Sequence, residues 1–379
     1  MRRLPLLAAA LLLLGLVLPA GIDGGGASMS WFAEPLALAA GLGALALAVL
    51  ACFPALRSRP ATARRRRFPA GLAALLALAC GGIAPLLLVG VHPASGIGAS
   101  GLWLFLMGLG LLAWMAMDWL AGLGAERAAL RLAAPLLFGL WLVYLWEIVV
   151  LGFGIPQILL PAPHQIAQKF VDQAGILADD FRQTFLKAVL AGWAIGSGLG
   201  LLVAIAIDRV PFFQRGLLPL GNLVSAVPIV GIAPIMVMWF GFDWESKAAV
   251  IVVMTFFPML VNALAGFGQA DAISRDLMRA YGAGYWQTFF KLRLPSALPF
   301  VFNALKINST LALIGAIVAE FFGSPIAGMG FRISVEVARM NVDMVWATIA
   351  VAALAGSVFY GALALLERGL TFWHPSYRR

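Results

Sequence analysis

The residues most able to do work in this chain lie in one polar stretch. It reads Asp276-Leu277-Met278-Arg279-Ala280-Tyr281-Gly282-Ala283-Gly284-Tyr285-Trp286-Gln287-Thr288-Phe289-Phe290-Lys291-Leu292-Arg293-Leu294-Pro295. The order predicts a short helix, a Gly-Ala-Gly break, a second short amphipathic helix, then Leu294-Pro295 opening a longer one. Proline suits a first helical turn, where its missing N–H leaves nothing unpaired, and the glycines permit a sharp reversal. Such a knob, displaying Tyr285 and Trp286, is built for gripping another protein, because large aromatics are favoured anchors in protein contacts. Its chemistry is recognition and not bond-making.

A second set is polar but sits in apolar surroundings: Asn222, Ser225, Asn262, Asn303, Asn308, Ser309 and Thr310. Polar side chains in hydrocarbon are costly and turn toward a bundle interior or cavity. They are candidates for lining a path, although the same residue types also hold membrane helices together by hydrogen bonds between helices. Lys306 on the same stretch either reaches toward an interface or faces a cavity.

Catalytic and metal chemistry have no visible machinery. The three histidines (His92, His164, His374) have no metal-ligand spacing, and Cys52 and Cys80 both sit inside apolar runs. The patterns HExxH, GxSxG and GxxxxGK[ST] are missing from the sequence, so neither hydrolysis nor ATP binding by this chain is expected.

The elements that position these residues follow from composition. Of 379 residues, 62% are hydrophobic and 11% charged, against about 25% charged in soluble domains. Lipid must therefore solvate much of the chain. A span needs roughly 20 apolar residues. Ten stretches approach that: Leu4–Ala20, Leu36–Phe53, Phe68–Val91, Gly101–Leu123, Ala133–Phe153, Leu186–Ile207, Leu217–Phe240, Ala248–Phe267, Ala297–Phe321 and Val345–Leu366. The first, behind Arg2 and Arg3, reads as a secretory signal as readily as a span.

The +9 net charge is clustered. Arg57, Arg59 and Arg64–Arg67 lie in one loop, followed by Arg127 with Arg131, Arg209 with Arg215, the loop 268–294, and Arg378 with Arg379. Alternating ten spans puts all of these on one side, which the positive-inside bias makes cytoplasmic, the C-terminus included. A basic loop pinned between spans is a topology signal, and nucleic acid is not an expected partner. On the outside, Gly154–Thr184 predicts a helix lying on the membrane surface, polar at Asp179, Asp180 and Arg182. Glu147 and Glu320, near outer span ends, and Asp118, near an inner one, read as interfacial or ion-paired residues.

Composition shifts near residue 130. Residues 1–130 are Ala/Leu-rich and form a four-span extension, whereas 131–379 carry the polar residues, with the cytoplasmic loop at 268–295.

That loop resembles the signature of binding-protein-dependent ABC importer permeases: EAA, three residues, Gly, about nine residues, then an apolar residue, any residue and Leu-Pro. Gly282, Leu292, Leu294 and Pro295 fit in register, with Asp276 at the acidic position and Leu277 and Met278 replacing the two alanines. The stretches Ala226–Pro234, Trp239–Phe242, Lys247, Phe256–Pro258 and Ala319–Gly323 are similar to the nitrate, sulfonate, taurine and thiamine-precursor branch. The resemblance covers roughly 133–379 and leaves the extension without a counterpart.

The resemblance implies an all-α integral membrane protein with a six-span, type I importer-like core that dimerises with a second copy of itself in a bacterial plasma membrane. Two cytosolic ATPase subunits, which carry the ATP and Mg, would grip the knob through Asp276, Arg279, Ala280, Gly282, Ala283, Gly284, Tyr285, Trp286, Leu294 and Pro295. An extracytoplasmic solute-binding protein would deliver a small nutrient, a sulfonate, taurine, nitrate or pyrimidine vitamin precursor. This chain would bind no cofactor, only its partners and lipid. The alternative is an ion-gradient-driven secondary transporter, which predicts mid-span carboxylates and repeated halves. An integral-membrane enzyme would need a His, Asp or Cys cluster.

Overall fold

The computed structural model describes residues 4–22, 28–56, 63–92, 99–209, 229–323 and 326–372. The architecture is helical. Its described helices are α1 (Leu4–Val17), α2 (Pro35–Leu56), α3 (Ala63–Val91), α4 (Ser100–Glu126), α5 (Ala133–Gly152), α6 (Pro163–Asp172), α7 (Ala174–Phe181), α8 (Leu190–Arg209), α9 (Ile229–Phe240), α10 (Trp244–Phe267), α11 (Ala272–Ala280), α12 (Tyr285–Thr288), α13 (Leu294–Glu320), α14 (Met329–Ala338) and α15 (Val342–Leu370). A two-residue antiparallel pair sets Gly21 opposite Met29.

Among the described residues, eight stretches are long and apolar enough to cross a membrane, from Pro35–Cys52 to Val342–Leu370, and two further apolar helices are shorter. The two shorter ones account for the difference from ten. α1 has 14 residues, about 21 Å at 1.5 Å per residue. Of the expected span Leu217–Phe240, residues 217–228 lie outside the described set.

The chain forms two compact units, Met1–Ile166 and Ala167–Arg379. The first holds α1 to α5, with α1 on α4, α2 on α3, and α5 on α4. Composition divides the chain near 130, and the geometric division lies one span later. Trp31 centres the first unit. Its indole Nε1 donates to the Gly15 carbonyl at 2.8 Å, satisfying one of the carbonyls left open at the end of α1, and its ring lies 5.1 Å from Phe105.

In the second unit, α10 packs against both α8 and α13. Gly192, Gly196 and Gly200 recur every four residues on α8, so they form one stripe. A Cβ on Gly196 would stand 2.0 Å from Thr255 Oγ1, and one on Gly200 2.4 Å from the Phe256 carbonyl. Only hydrogen fits there, and the two backbones meet as small-residue stripes allow in membranes.

Among the described residues two places are wound as π-helix, at Arg182–Val189 and Phe289–Arg293. The first joins α7 to α8 without a break, so the expected outer surface helix is two helices, α6 and α7, the second running straight into a span. The second joins α12 to α13. Here the expected pair, a short helix and then a fresh span at Leu294-Pro295, is one continuous rod. A proline ring clashes with the carbonyl four residues back, and the wider π-turn gives Pro295 room.

Candidate functional site

The loop after α10 folds from local rules. α11 ends where Gly282 adopts φ +71°. The Ala283 N–H donates to the Met278 carbonyl at 3.0 Å and the Gly282 N–H to the Arg279 carbonyl at 2.9 Å. This pair is the Schellman closure that glycine at C′ makes cheap. Gly284 then caps α12, its N–H donating to Gln287 Oε1 at 3.1 Å. Asp276 and Arg279 pair at 3.6 Å on the exposed side of α11, a contact worth little.

The knob is braced from beneath. Arg293 Nη1 and Nη2 each donate to one oxygen of Asp208 at 2.7 Å, and Arg293 Nε donates to the Phe267 carbonyl at 3.1 Å. The Tyr285 hydroxyl donates to Asp208 Oδ2 at 2.7 Å, and the Arg209 guanidinium lies 4.6 Å above the Tyr285 ring. Phe289 is fully buried against Phe267. One carboxylate at the end of α8 thus ties together α8, α12 and the π-turn, while Arg293 adds the end of α10. Tyr285, expected on display, faces inward: its hydroxyl needs a partner, and Asp208 supplies it. What the knob does display is apolar. Ile273 and Leu277 stand one turn apart on α11, followed by Tyr281 (83% exposed), Trp286 and Phe290.

The polar residues of the core separate into two groups. Asn308 is buried, its Nδ2 donating to Ser197 Oγ at 2.9 Å and to the Thr255 carbonyl at 2.7 Å. Ser309 is buried too and donates to the Lys306 carbonyl. In this conformation Asn308 joins α13 to α8 and α10, whereas Ser309 bonds back within its own helix. Asn262 donates to the Pro258 carbonyl, and Asn303 donates to Asn262 Oδ1 at 3.3 Å. Asn303 and Thr310 share an exposed face of α13 with Ile307 and Ile314. Lys306 pairs with Glu367 of α15 at 2.7 Å. Asn222 and Ser225 lie outside the described residues.

The opposite end of the unit carries a buried network that no short spacing announces. Asp180, expected on the polar part of a helix at the membrane surface, is fully buried. It accepts from the Gly328 N–H at 2.8 Å and from Arg332 Nε at 2.8 Å. That partner raises the Arg332 pKa above the ordinary guanidinium value. Glu320 accepts from Thr184 Oγ1 at 2.7 Å and from the Gly330 N–H at 2.6 Å, while the Met329 N–H donates to Thr184 Oγ1 at 2.7 Å. The open N–H groups of α14 are therefore met by two carboxylates and a hydroxyl, the arrangement a helix N-terminus favours. Nearby, Asp243 caps α10 through the Trp244 N–H and accepts from Gln183. The Gln183 bond leads the causes that hold its pKa below the ordinary value. Glu147 meets His164. Among the described residues no group of His, Cys, Asp or Glu is arranged to hold a metal ion.

The class of protein to which this glycine-seamed helical bundle with its braced apolar knob belongs follows from comparison with known proteins. The family model for binding-protein-dependent transport system inner membrane components matches residues 196–372. The chain is 34% identical over 243 residues to the formylaminopyrimidine transport permease protein ThiX of Halalkalibacterium halodurans, covering 63% of this chain and 95% of that one. It is 30% identical to the riboflavin transport system permease protein RibX of Chloroflexus aurantiacus, over 65% of this chain and 91% of that one. It is 29% identical to the putative aliphatic sulfonates transport permease protein SsuC of Bacillus subtilis, over 62% and 86%.

The chain belongs to the family of binding-protein-dependent transport system inner membrane components. It is a multi-pass, all-helical permease subunit of an ABC transporter in the inner membrane.

Proposed function

We propose that this permease is the gate of an importer, driven through its knob by a separate ATPase. The observation that carries the reading is the pairing of an exposed apolar face (Ile273, Leu277, Tyr281, Trp286, Phe290) with a rigid brace at Asp208. A face meant only for water needs no such aromatics, and a mere connection needs no such brace. Two ATPase subunits, holding ATP and Mg, grip two knobs, one on each copy of a homodimer. Their closure pushes the Asp208 junction and so moves α8, α10 and α13 together. Coupling of this kind requires a two-state element biased from both ends.

On the far side, a solute-binding protein delivers substrate over α6, α7 and α14. The exposed face of α13 bearing Asn303 and Thr310 lines the path. The loop 268–295 and the C-terminus are cytoplasmic. The relatives' names point to a small nutrient of the aminopyrimidine or alkylsulfonate kind.

The test is uptake by proteoliposomes containing the permease, its ATPase and its binding protein. ATP-dependent uptake that disappears when Trp286 and Leu277 are both changed to Ser, with the bundle still folded, supports the reading. Uptake without any ATPase overturns it in favour of a gradient-driven carrier.

A further inference from the structure

Asp118 is out of place in the N-terminal unit. α4 has 27 residues, about 40 Å of helix against roughly 30 Å of hydrocarbon. Asp118 precedes Glu126 by two helical turns, about 12 Å, which sets it inside the apolar layer. A carboxylate at such depth is costly unless something meets it. Asp118 is exposed, and among the described residues it makes no hydrogen bond or ion pair.

Besides lining a smaller groove toward α3, it lines one of about 760 Å³ between α4 and α5. Trp114, Ala121, Pro135 and Phe138 line its walls, and Trp114 is 66% exposed. Arg131 also lines it, at the polar end of α4, where the Arg131 backbone lies against Gly124. The groove therefore offers an apolar wall, one anion and one cation.

We propose that this groove holds a membrane phospholipid with an ammonium headgroup, phosphatidylethanolamine. Its phosphate sits on Arg131, its ammonium tips inward to Asp118, and an acyl chain lies along Trp114 and Phe138. Charge selects this lipid. A purely anionic headgroup would satisfy Arg131 and be repelled by Asp118, and a bare hydrocarbon chain would leave both charges unmet. The site gives the extension a role separate from the transport path and independent of how the knob is driven.

The experiment uses the full chain, extracted with mild detergent from membranes containing both phosphatidylethanolamine and phosphatidylglycerol. Retained lipid is then quantified by mass spectrometry. Wild type should enrich phosphatidylethanolamine over the membrane ratio. Asp118→Asn, which removes the charge at constant volume, should reduce the enrichment about tenfold. Ala121→Trp, which fills the groove and leaves both charges, should do the same, so either variant that elutes as a monodisperse species decides the matter. No enrichment in wild type, enrichment of phosphatidylglycerol instead, or enrichment unchanged in a monodisperse variant overturns the proposal. So does efficient disulfide crosslinking between copies through Ala121→Cys in native membranes, which would make the groove a protein interface.

Discussion

Arg293 and Asp208 meet as a two-pronged fork, both bonds at 2.7 Å, with 19% and 12% of the side chains exposed. The pair lies 85 residues apart in sequence and closes the knob onto the end of α8. Removing one partner of a largely buried, bidentate pair strands the other, at a cost on the order of 3 kcal/mol. Asp208→Ala should therefore lower the melting temperature in detergent and abolish ATP-coupled uptake. Arg293→Lys keeps the charge and loses the planar fork; it should leave folding near normal and impair uptake. Uptake at wild-type rates in both variants would refute the brace.

Gly282 tests the local geometry by itself. Nothing stands within 4 Å of an added Cβ, so its φ of +71° is the whole constraint. Left-handed backbone costs roughly 1–2 kcal/mol for ordinary residues, less for Asn. Uptake and ATPase capture should thus rank Gly282→Asn above Gly282→Ala, and both above Gly282→Val. Gly282→Arg, which adds bulk at the proposed contact, should abolish transport with membrane insertion intact.

Gly196 tests the seam between α8 and α10. With Thr255 Oγ1 2.0 Å from an added Cβ, even Gly196→Ala must push the helices apart. Overpacking costs typically 1–3 kcal/mol, and Gly196→Leu should give no monodisperse protein. Gly198, with open space around it, is the control: Gly198→Ala should purify and melt like wild type.

Thr184 serves two partners at once, accepting from the Met329 N–H and donating to Glu320. Thr184→Val removes both bonds at constant shape, leaving buried polar groups unpaired at about 1–3 kcal/mol each. Thr184→Ser should restore most of the loss. Thermal unfolding of the three proteins reads this directly.

Asp243 gives a pH dependence of known sign. Its folded-state pKa is lowered, chiefly by Gln183. Its contribution is then fully present above the ordinary aspartate value, about 3.9, and is lost as pH falls through the lowered one. Between pH 5 and 8 the gap in melting temperature between wild type and Asp243→Asn should stay constant. It should shrink only below about pH 4, the range of ordinary carboxylate titration.

How much was legible before any coordinates varied with distance along the chain. The knob was readable because its turn closes within six residues, from Met278 to Ala283, and glycine at the left-handed position is a local demand. Spans were readable because transfer into lipid depends on composition and length. The inward turn of Tyr285 was not readable, since the carboxylate that draws it belongs to α8. Nor was the glycine stripe of α8 readable as a seam until α10 was laid against it.

The sequence by itself determined that the chain lives in lipid, which segments are helical, and where the cytoplasmic-type loop must turn, because hydropathy and backbone allowance are properties of short segments. Only the tertiary structure decided which polar side chains are buried between helices and which stand on an open face. Asp180, Glu320 and Asn308 find their partners on other helices, 152, 136 and 111 residues away. A polar residue in an apolar helix must be satisfied, but its own segment does not say by whom.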